Sequence, residues 1–225
     1  MNVNQICGEL PNQIYANLGK SFFAWMMSQR SSTHDKLIGD VYNELRLRKR
    51  SLFANLQGKV LEISPRNGSN LPYYPQNIHL IGMEPDLQMH SYLQKQAKEL
   101  GLNIDLRLGN AEWLDAEDNS IDAVVTTFIL CSVPNLNYTL QAILRVLKPG
   151  GRLLFIEHIA APQGTLLRKA QNTISPIWKT LADNCHPDRE IDIALKKAGF
   201  SNVNYEHFEV GLPIVSPHII GVATK

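Results

Sequence analysis

The sequence predicts an α/β fold: a doubly wound, mostly parallel seven-stranded sheet with helices on both faces and a C-terminal antiparallel strand. Three observations predict it. Short β-rich runs alternate with helical patterns through the middle of the chain, as successive βα units do. The run Ile121 to Phe128 is rich in apolar residues and threonine, as expected of a strand buried on both faces. The last two β-rich runs are joined by a link too short for a crossover, which demands an antiparallel pair.

The elements follow in order. Strands are expected at Val60–Ile63, His79–Met83, Ile104–Leu108, Ile121–Phe128 and Arg152–Ile156. The clearest helical patterns between them are Leu87–Leu100 and Leu140–Leu147. A helix at about Arg189–Ala198, closed by Gly199, leads into strands at Val203–Val210 and His218–Ala223; glycine is a common helix terminator. Residues 1–56 carry two helical patterns, Gln13–Ser28 and Asp35–Leu56. Alone they could hardly bury a core, so they read as an N-terminal helical cap on a domain formed by 57–225. A helical insert, 164–183, follows the fifth strand.

Composition bounds the function. The chain has 225 residues, 44% hydrophobic and 19% charged, which excludes a disordered chain and allows a sizeable core. Lys+Arg 22 against Asp+Glu 21 leaves a net charge of +1, so no global field draws nucleic acid or an anionic membrane. The basic run Arg46, Arg48, Lys49 and Arg50 follows Glu44 and reads as a solvated helix face. Cys7, Cys131 and Cys185 are odd in number and widely spaced. They form neither a disulfide framework nor a zinc motif, and a reducing, cytoplasmic location is expected. No run approaches the roughly 18 apolar residues of a membrane span. Phe22–Met27 lacks a basic leader and a cleavage site, so no signal peptide is expected. The aromatics within residues 13–30 either pack on the fold or make a weak membrane-surface contact.

In open parallel sheets, ligands bind beyond the carboxyl ends of the strands, where strand order reverses. The residues there are Ser64–Asn70 after the first strand, Glu84-Pro85-Asp86, Asn110-Ala111-Glu112, Thr127-Phe128 leading to Leu130-Cys131-Ser132, and Glu157-His158. So many acids suit a ligand rich in hydroxyl and amino donors, such as a cationic nucleoside. Glu84 lies about 20 residues past the first turn, where an acid accepts from a ribose diol; its bland reading is a solvated loop acid. Glu112 reads equally as a helix-start acid.

These residues carry a family resemblance. Val60-Leu61-Glu62-Ile63-Ser64-Pro65-Arg66-Asn67-Gly68 resembles the first motif of class I S-adenosylmethionine-dependent methyltransferases. Asn110-Ala111-Glu112 is similar to their adenine-side motif, and Arg145 to Leu153 resembles the turn entering their fifth strand. Leu130–Val133, Glu157–Ala160, the insert through Trp178 and Asp183–His186 resemble the branch that includes small-molecule thiol methyltransferases.

The resemblance implies S-adenosylmethionine as cofactor, a small-molecule methyl acceptor and no metal. It implies that Glu62 fixes the methionine amino group and that Gly68, in the loop with Ser64, permits close backbone approach. Glu84 would hold the ribose hydroxyls. Asn110, Ala111 and Glu112 would border the adenine, and Thr127 and Phe128 the ribose–methionine side. His158 and His186 are candidate bases for an acceptor that loses a proton; a structural histidine is the other reading of each. No base stands out in the sequence to activate Cys131 or Cys185, so both read as packing. The insert carries Leu167, Ala170, Ile174, Trp178 and Leu181 at helical spacing, broken by Pro176. It is expected to form a lid over an apolar or aromatic acceptor.

One departure opens an alternative. Ser64 and Arg66 stand where the family motif has glycine. A side chain held at positive φ costs on the order of 1 kcal/mol, and an inward Arg66 would fill the methionine half of the pocket. The alternative is a catalytically inactive relative that has lost or altered cofactor binding. A nicotinamide dehydrogenase is a third reading. The Glu84 spacing permits it; the poor glycine fingerprint and the antiparallel end oppose it.

Overall fold

The computed structural model describes residues 32–225. Cys7, the helical pattern Gln13–Ser28 and the aromatics of residues 13–30 lie outside the described residues. The elements are α1 (Ser32–Phe53), β1 (Lys59–Ile63), a 3-10 turn (Leu71–Tyr73), β2 (His79–Met83), α2 (Leu87–Glu99), β3 (Ile104–Arg107), β4 (Ile121–Thr127), α3 (Leu136–Val146), β5 (Leu147–His158), α4 (Leu166–Leu181), α5 (Ile191–Lys197), β6 (Asn202–Glu209) and β7 (Pro217–Thr224).

The seven strands form one sheet in the order β3-β2-β1-β4-β5-β7-β6. β1 pairs in parallel with β2 and β4, and β4 with β5. β7 runs antiparallel to both β5 and β6. The expected fold class is therefore the observed one. Successive residues of β1 point to opposite faces, so one short apolar strand feeds two cores. Leu61 packs with α3 and α5 on one face; Val60 packs with Phe53 of α1 and Leu93 of α2 on the other.

Helix starts follow side-chain caps. Asp86 accepts from Gln88 N to open α2, and Asn135 accepts from Tyr138 N to open α3. Such a cap is worth about 1 kcal/mol. The Asn135 cap starts α3 four residues before the expected Leu140. β5 is also longer than expected at both ends. Residues 148–151 loop out between the Ile121↔Leu147 and Ala123↔Arg152 pairs, and β7 keeps the strand paired through His158↔His218. Glu157 and His158, expected beyond the fifth strand, are therefore its last two residues.

Two further expectations are corrected. Pro176 does not break the insert; α4 runs through it. The basic run on α1 is not wholly solvated. Arg48 pairs with Glu44 (2.7 Å) and Glu206 and lies over the Phe208 ring. Lys49 is buried and donates to Ser69 Oγ. Among the described residues no helix is long and apolar enough to cross a membrane.

Candidate active site at the reversal of strand order

Strand order reverses between β1 and β4, so the loops beyond those two strands form the ligand crevice. The loop after β1 makes three left-handed residues in alternation: Ser64 at φ 52, Arg66 at φ 49 and Gly68 at φ 71. The backbone takes a glycine-type turn although two of the glycines are absent. Each substitution stores about 1 kcal/mol of strain, held by the acid at the end of β2. Glu84 is buried; its carboxylate accepts from Arg66 N (2.9 Å) and Asp86 N (3.0 Å), with Ser64 Oγ at 3.5 Å. Gly68 also has a packing role within the fold. A Cβ there would stand 2.9 Å from Leu71 Cδ1 and 3.3 Å from Leu93 Cδ2, so the glycine admits the protein's own side chains.

Arg66 turns neither into the crevice nor freely into solvent. Its Nη2 lies 3.0 Å from Asp183 Oδ2, with half of the arginine side chain exposed. It straps the loop after β1 to the loop after α4.

Inside the crevice a polar network joins β1 to β4. Asn70 Nδ2 donates to Glu62 Oε1 (2.7 Å) and to Thr127 Oγ1 (3.0 Å). Glu62 Oε2 and Asn70 Oδ1 are buried acceptors without a partner. Burial raises the Glu62 carboxyl to about 7, against the opposing Asn70 amide, Tyr74 hydroxyl and Lys49 ammonium. Burial in turn lowers the Lys49 ammonium. Two idle acceptors, one on the buried carboxyl and one on the Asn70 amide, fit a cationic amino group. They meet the requirement of a cofactor with a methionine ammonium.

The other expected residues are spread around this network. Asn110 Oδ1 accepts from Glu112 N and Trp113 N, and Glu112 Oε1 accepts from Asn135 N (2.8 Å). Ala111 packs against the core between them. Glu112 thus ties the loop after β3 to the start of α3. Phe128 is left-handed at φ 57, and its ring meets His218 edge-on at 5.5 Å. Of the pair Thr127–Phe128, the threonine joins the Glu62–Asn70 network.

A second cluster lies beyond β4 and β5. Glu157 is fully buried; Oε1 accepts from Ile129 N and Leu130 N (3.1 Å each), and Oε2 has no partner. Burial raises this carboxyl to about 7. His158 Nε2 lies 2.9 Å from Cys185 Sγ, and Trp178 Nε1 donates to the same sulfur (3.2 Å). This corrects the expectation that nothing basic attends Cys185. The nearby Cys131 thiol, then His158 and Trp178, lower the Cys185 thiol, while that same pairing and burial raise Cys131. His186 donates its backbone N–H to Cys131 O (2.9 Å). Its ring is lowered to about 4 by burial, Arg189 and Lys179, so it is neutral at pH 7.

α4 roofs this region with an unexpected face. Its buried residues are Arg168, Gln171, Ser175 and Trp178, while Ala170 is exposed. Gln171 accepts from Ala161 N and donates to Ile214 O (both 2.7 Å), and Arg168 pairs with Glu190. Polar side chains clamp the roof to loop backbone, a role that apolar periodicity does not reveal. Asn70, Lys49 and Arg189 were also missed as site residues. Asn70 carried only a faint signal, a turn-forming residue before Leu71-Pro72. Arg189, whose Nη1 donates to Leu130 O and Val133 O, carried none.

Comparison with known proteins agrees with this geometry. The methyltransferase domain family matches residues 61–155. A thiol S-methyltransferase of Homo sapiens is 35% identical over 199 residues, covering 82% of each protein. A thiol S-methyltransferase of Rattus norvegicus is 32% identical, covering 96% of this chain and 93% of that protein. Among solved structures, the YcgJ protein from Bacillus subtilis superposes with a TM-score of 0.63 at 14% identity, covering 82% of this chain and 98% of that one. That likeness is one of fold. The chain belongs to the class I S-adenosylmethionine-dependent methyltransferases, in the branch of these thiol S-methyltransferases, and its cofactor is S-adenosylmethionine.

Proposed function

We propose that this chain methylates the sulfur of a small apolar thiol. The observation that carries the catalytic reading is the pair of idle buried acceptors, Glu62 Oε2 and Asn70 Oδ1, beside the strand-order reversal. The sulfur assignment rests on relatives named thiol S-methyltransferases. When bound, the cofactor supplies an electrophilic methyl group on a cationic sulfur. Glu62 and Asn70 take its ammonium, Glu84 faces the ribose hydroxyls, and Asn110, Ala111 and Glu112 border the adenine. The strap from Arg66 to Asp183 draws the guanidinium out of the methionine half, which supports the active reading over the inactive one.

The chain's work is positioning, the dominant contribution in a one-step displacement. Trp178 and the α4 roof keep water from the acceptor side. Neither histidine is placed to serve as the acceptor's base. His158 Nε2 is engaged with Cys185, and His186 is lowered to about 4. The acceptor thiol therefore ionises largely on its own, its proton going to solvent. His186→Gln should lower kcat/KM by less than about tenfold, well under the roughly hundredfold low end of general-base contributions, and the rate should rise with pH along the acceptor's own ionisation.

The test offers S-adenosylmethionine with small apolar thiols, matched alcohols and matched amines, and reads S-adenosylhomocysteine and methylated product by mass spectrometry. Thioether formation from the thiols alone is expected. Turnover of the amines or alcohols instead would overturn the sulfur assignment. No turnover, with no calorimetric binding of the cofactor, would leave the inactive reading standing.

A further inference from the structure

The cluster of Cys131, His158 and Cys185 is larger than a methyl-transfer site of this kind requires. One ligand-type atom from each residue lies within 4.8 Å of the others. The edges of a zinc tetrahedron built from sulfur and nitrogen are about 3.5 Å, so rotamer adjustments of about 1 Å fit the set, opening His158 Nε2–Cys185 Sγ from 2.9 Å and closing the longer edges. The three residues come from three elements, and each is held by its backbone. His158 is fixed at the end of β5 by pairing with His218 of β7. Cys131 and Cys185 are joined through His186 N to Cys131 O. Asn184 Nδ2 donates to Ser132 O (2.8 Å), and Arg189 Nη1 grips Leu130 O and Val133 O on either side of Cys131.

The segment before Cys185 is strained. Asp183 and Asn184 both adopt positive φ, 53 and 58. Adjacent left-handed non-glycine residues cost of order 1 kcal/mol each and mark places where the surroundings dictate the backbone. What they achieve is to turn the Cys185 sulfur inward, where Trp178 Nε1 donates to it. An N–H aimed at the sulfur favours its thiolate form. Cys131 and His158 are buried and Cys185 is the least buried of the three.

We infer that Cys131, Cys185 and His158 form a binding site for one soft divalent ion, Zn2+ by ligand type. Two thiolates neutralise the ion, so the assembled site carries no net charge into the core. Three protein ligands leave a fourth position open, the pattern of zinc sites that bind a further ligand.

The test uses tag-free full-length protein, purified reduced, in a Cys7→Ser background so that only the two cluster thiols are counted. Added Zn2+ should be retained after dialysis at one ion per chain, and a chelator should restore two thiols to a thiol-specific reagent. Co2+ should give the thiolate charge-transfer band and intense visible bands of tetrahedral coordination. Cys131→Ser, Cys185→Ser and His158→Gln should each abolish the cobalt spectrum, with circular dichroism checking their fold. Because every readout is metal binding, its failure leaves the methyl-transfer reading untouched. Failure of wild-type protein to retain Zn2+ or develop the Co2+ bands would overturn the inference. So would retention unchanged in all three variants. Joint loss of the two thiols under mild peroxide, without metal uptake, would instead identify a dithiol–disulfide pair.

Discussion

The cofactor crevice and the thiol cluster sit side by side at the carboxyl ends of one sheet, yet they are assembled differently. The crevice is built mainly from one loop. Glu62, Ser64, Arg66, Gly68 and Asn70 are close in sequence, and the groups they bond directly, Thr127 and Glu84, come from the ends of β4 and β2. The thiol cluster joins residues such as His158 and Cys185, 27 positions apart, through a roof helix held by polar side chains. In the crevice the strain lies in the turn itself, at Ser64 and Arg66; in the cluster it lies just before the functional sulfur, at Asp183 and Asn184. The Arg66–Asp183 pair links the two strained segments. The lesson is that backbone strain in this fold shapes the loops that border both sites.

The comparison can be broken most forcefully at Glu62. Glu62→Gln removes a charge-assisted contact worth about 2–3 kcal/mol, so cofactor affinity should fall roughly 30- to 150-fold by calorimetry. The same residue sets a pH dependence of stability. Its folded pKa is raised from 4.5 to about 7, so the stability tied to the protonated form is complete below 4.5 and is lost as pH rises through about 7. Glu157 acts in the same direction. Thermal melts without cofactor should therefore decline across that window, less steeply in Glu62→Gln.

Next in size is Asn70→Leu, which strands the buried Glu62 carboxylate. It should cost about 1–3 kcal/mol of stability, read by urea unfolding, and weaken cofactor binding by an order of magnitude. Trp178→Phe sharpens the division between the two regions: it removes the donor to Cys185 together with part of the buried ring volume beside it. The acceptor KM should rise several-fold while the cofactor Kd stays unchanged. Equal changes in both would mean the regions act as one. The smallest effect belongs to Arg66→Gly. It relieves about 1 kcal/mol of strain, offset by greater unfolded-chain entropy, and loses an exposed ion pair worth little. Stability should change by less than about 1 kcal/mol, and cofactor affinity by less than threefold.

Much of this architecture was legible because it follows local rules. β2 begins and ends at His79 and Met83 as its apolar run does, and the antiparallel end follows from a short link. The crevice acids Glu62 and Glu84 were legible because they sit at fixed offsets from strand ends. The thiol cluster was not, since spacing along the chain says nothing of three residues brought together by a roof. The inner face of α4 misled for a related reason. Arg168, Gln171 and Ser175 are buried to satisfy loop backbone, and apolar periodicity records only apolar burial. Gly68 has a packing role the sequence did not show: a Cβ there would crowd Leu71.

Calorimetric titration with S-adenosylhomocysteine at pH 6 and pH 8, on wild type and Glu62→Gln, tests the central claim most directly. Wild type should bind more tightly at pH 8, where Glu62 is ionised, and the variant should bind weakly and equally at both. Equal affinity at both pH values in wild type, matched by the variant, would mean that Glu62 does not hold the amino group.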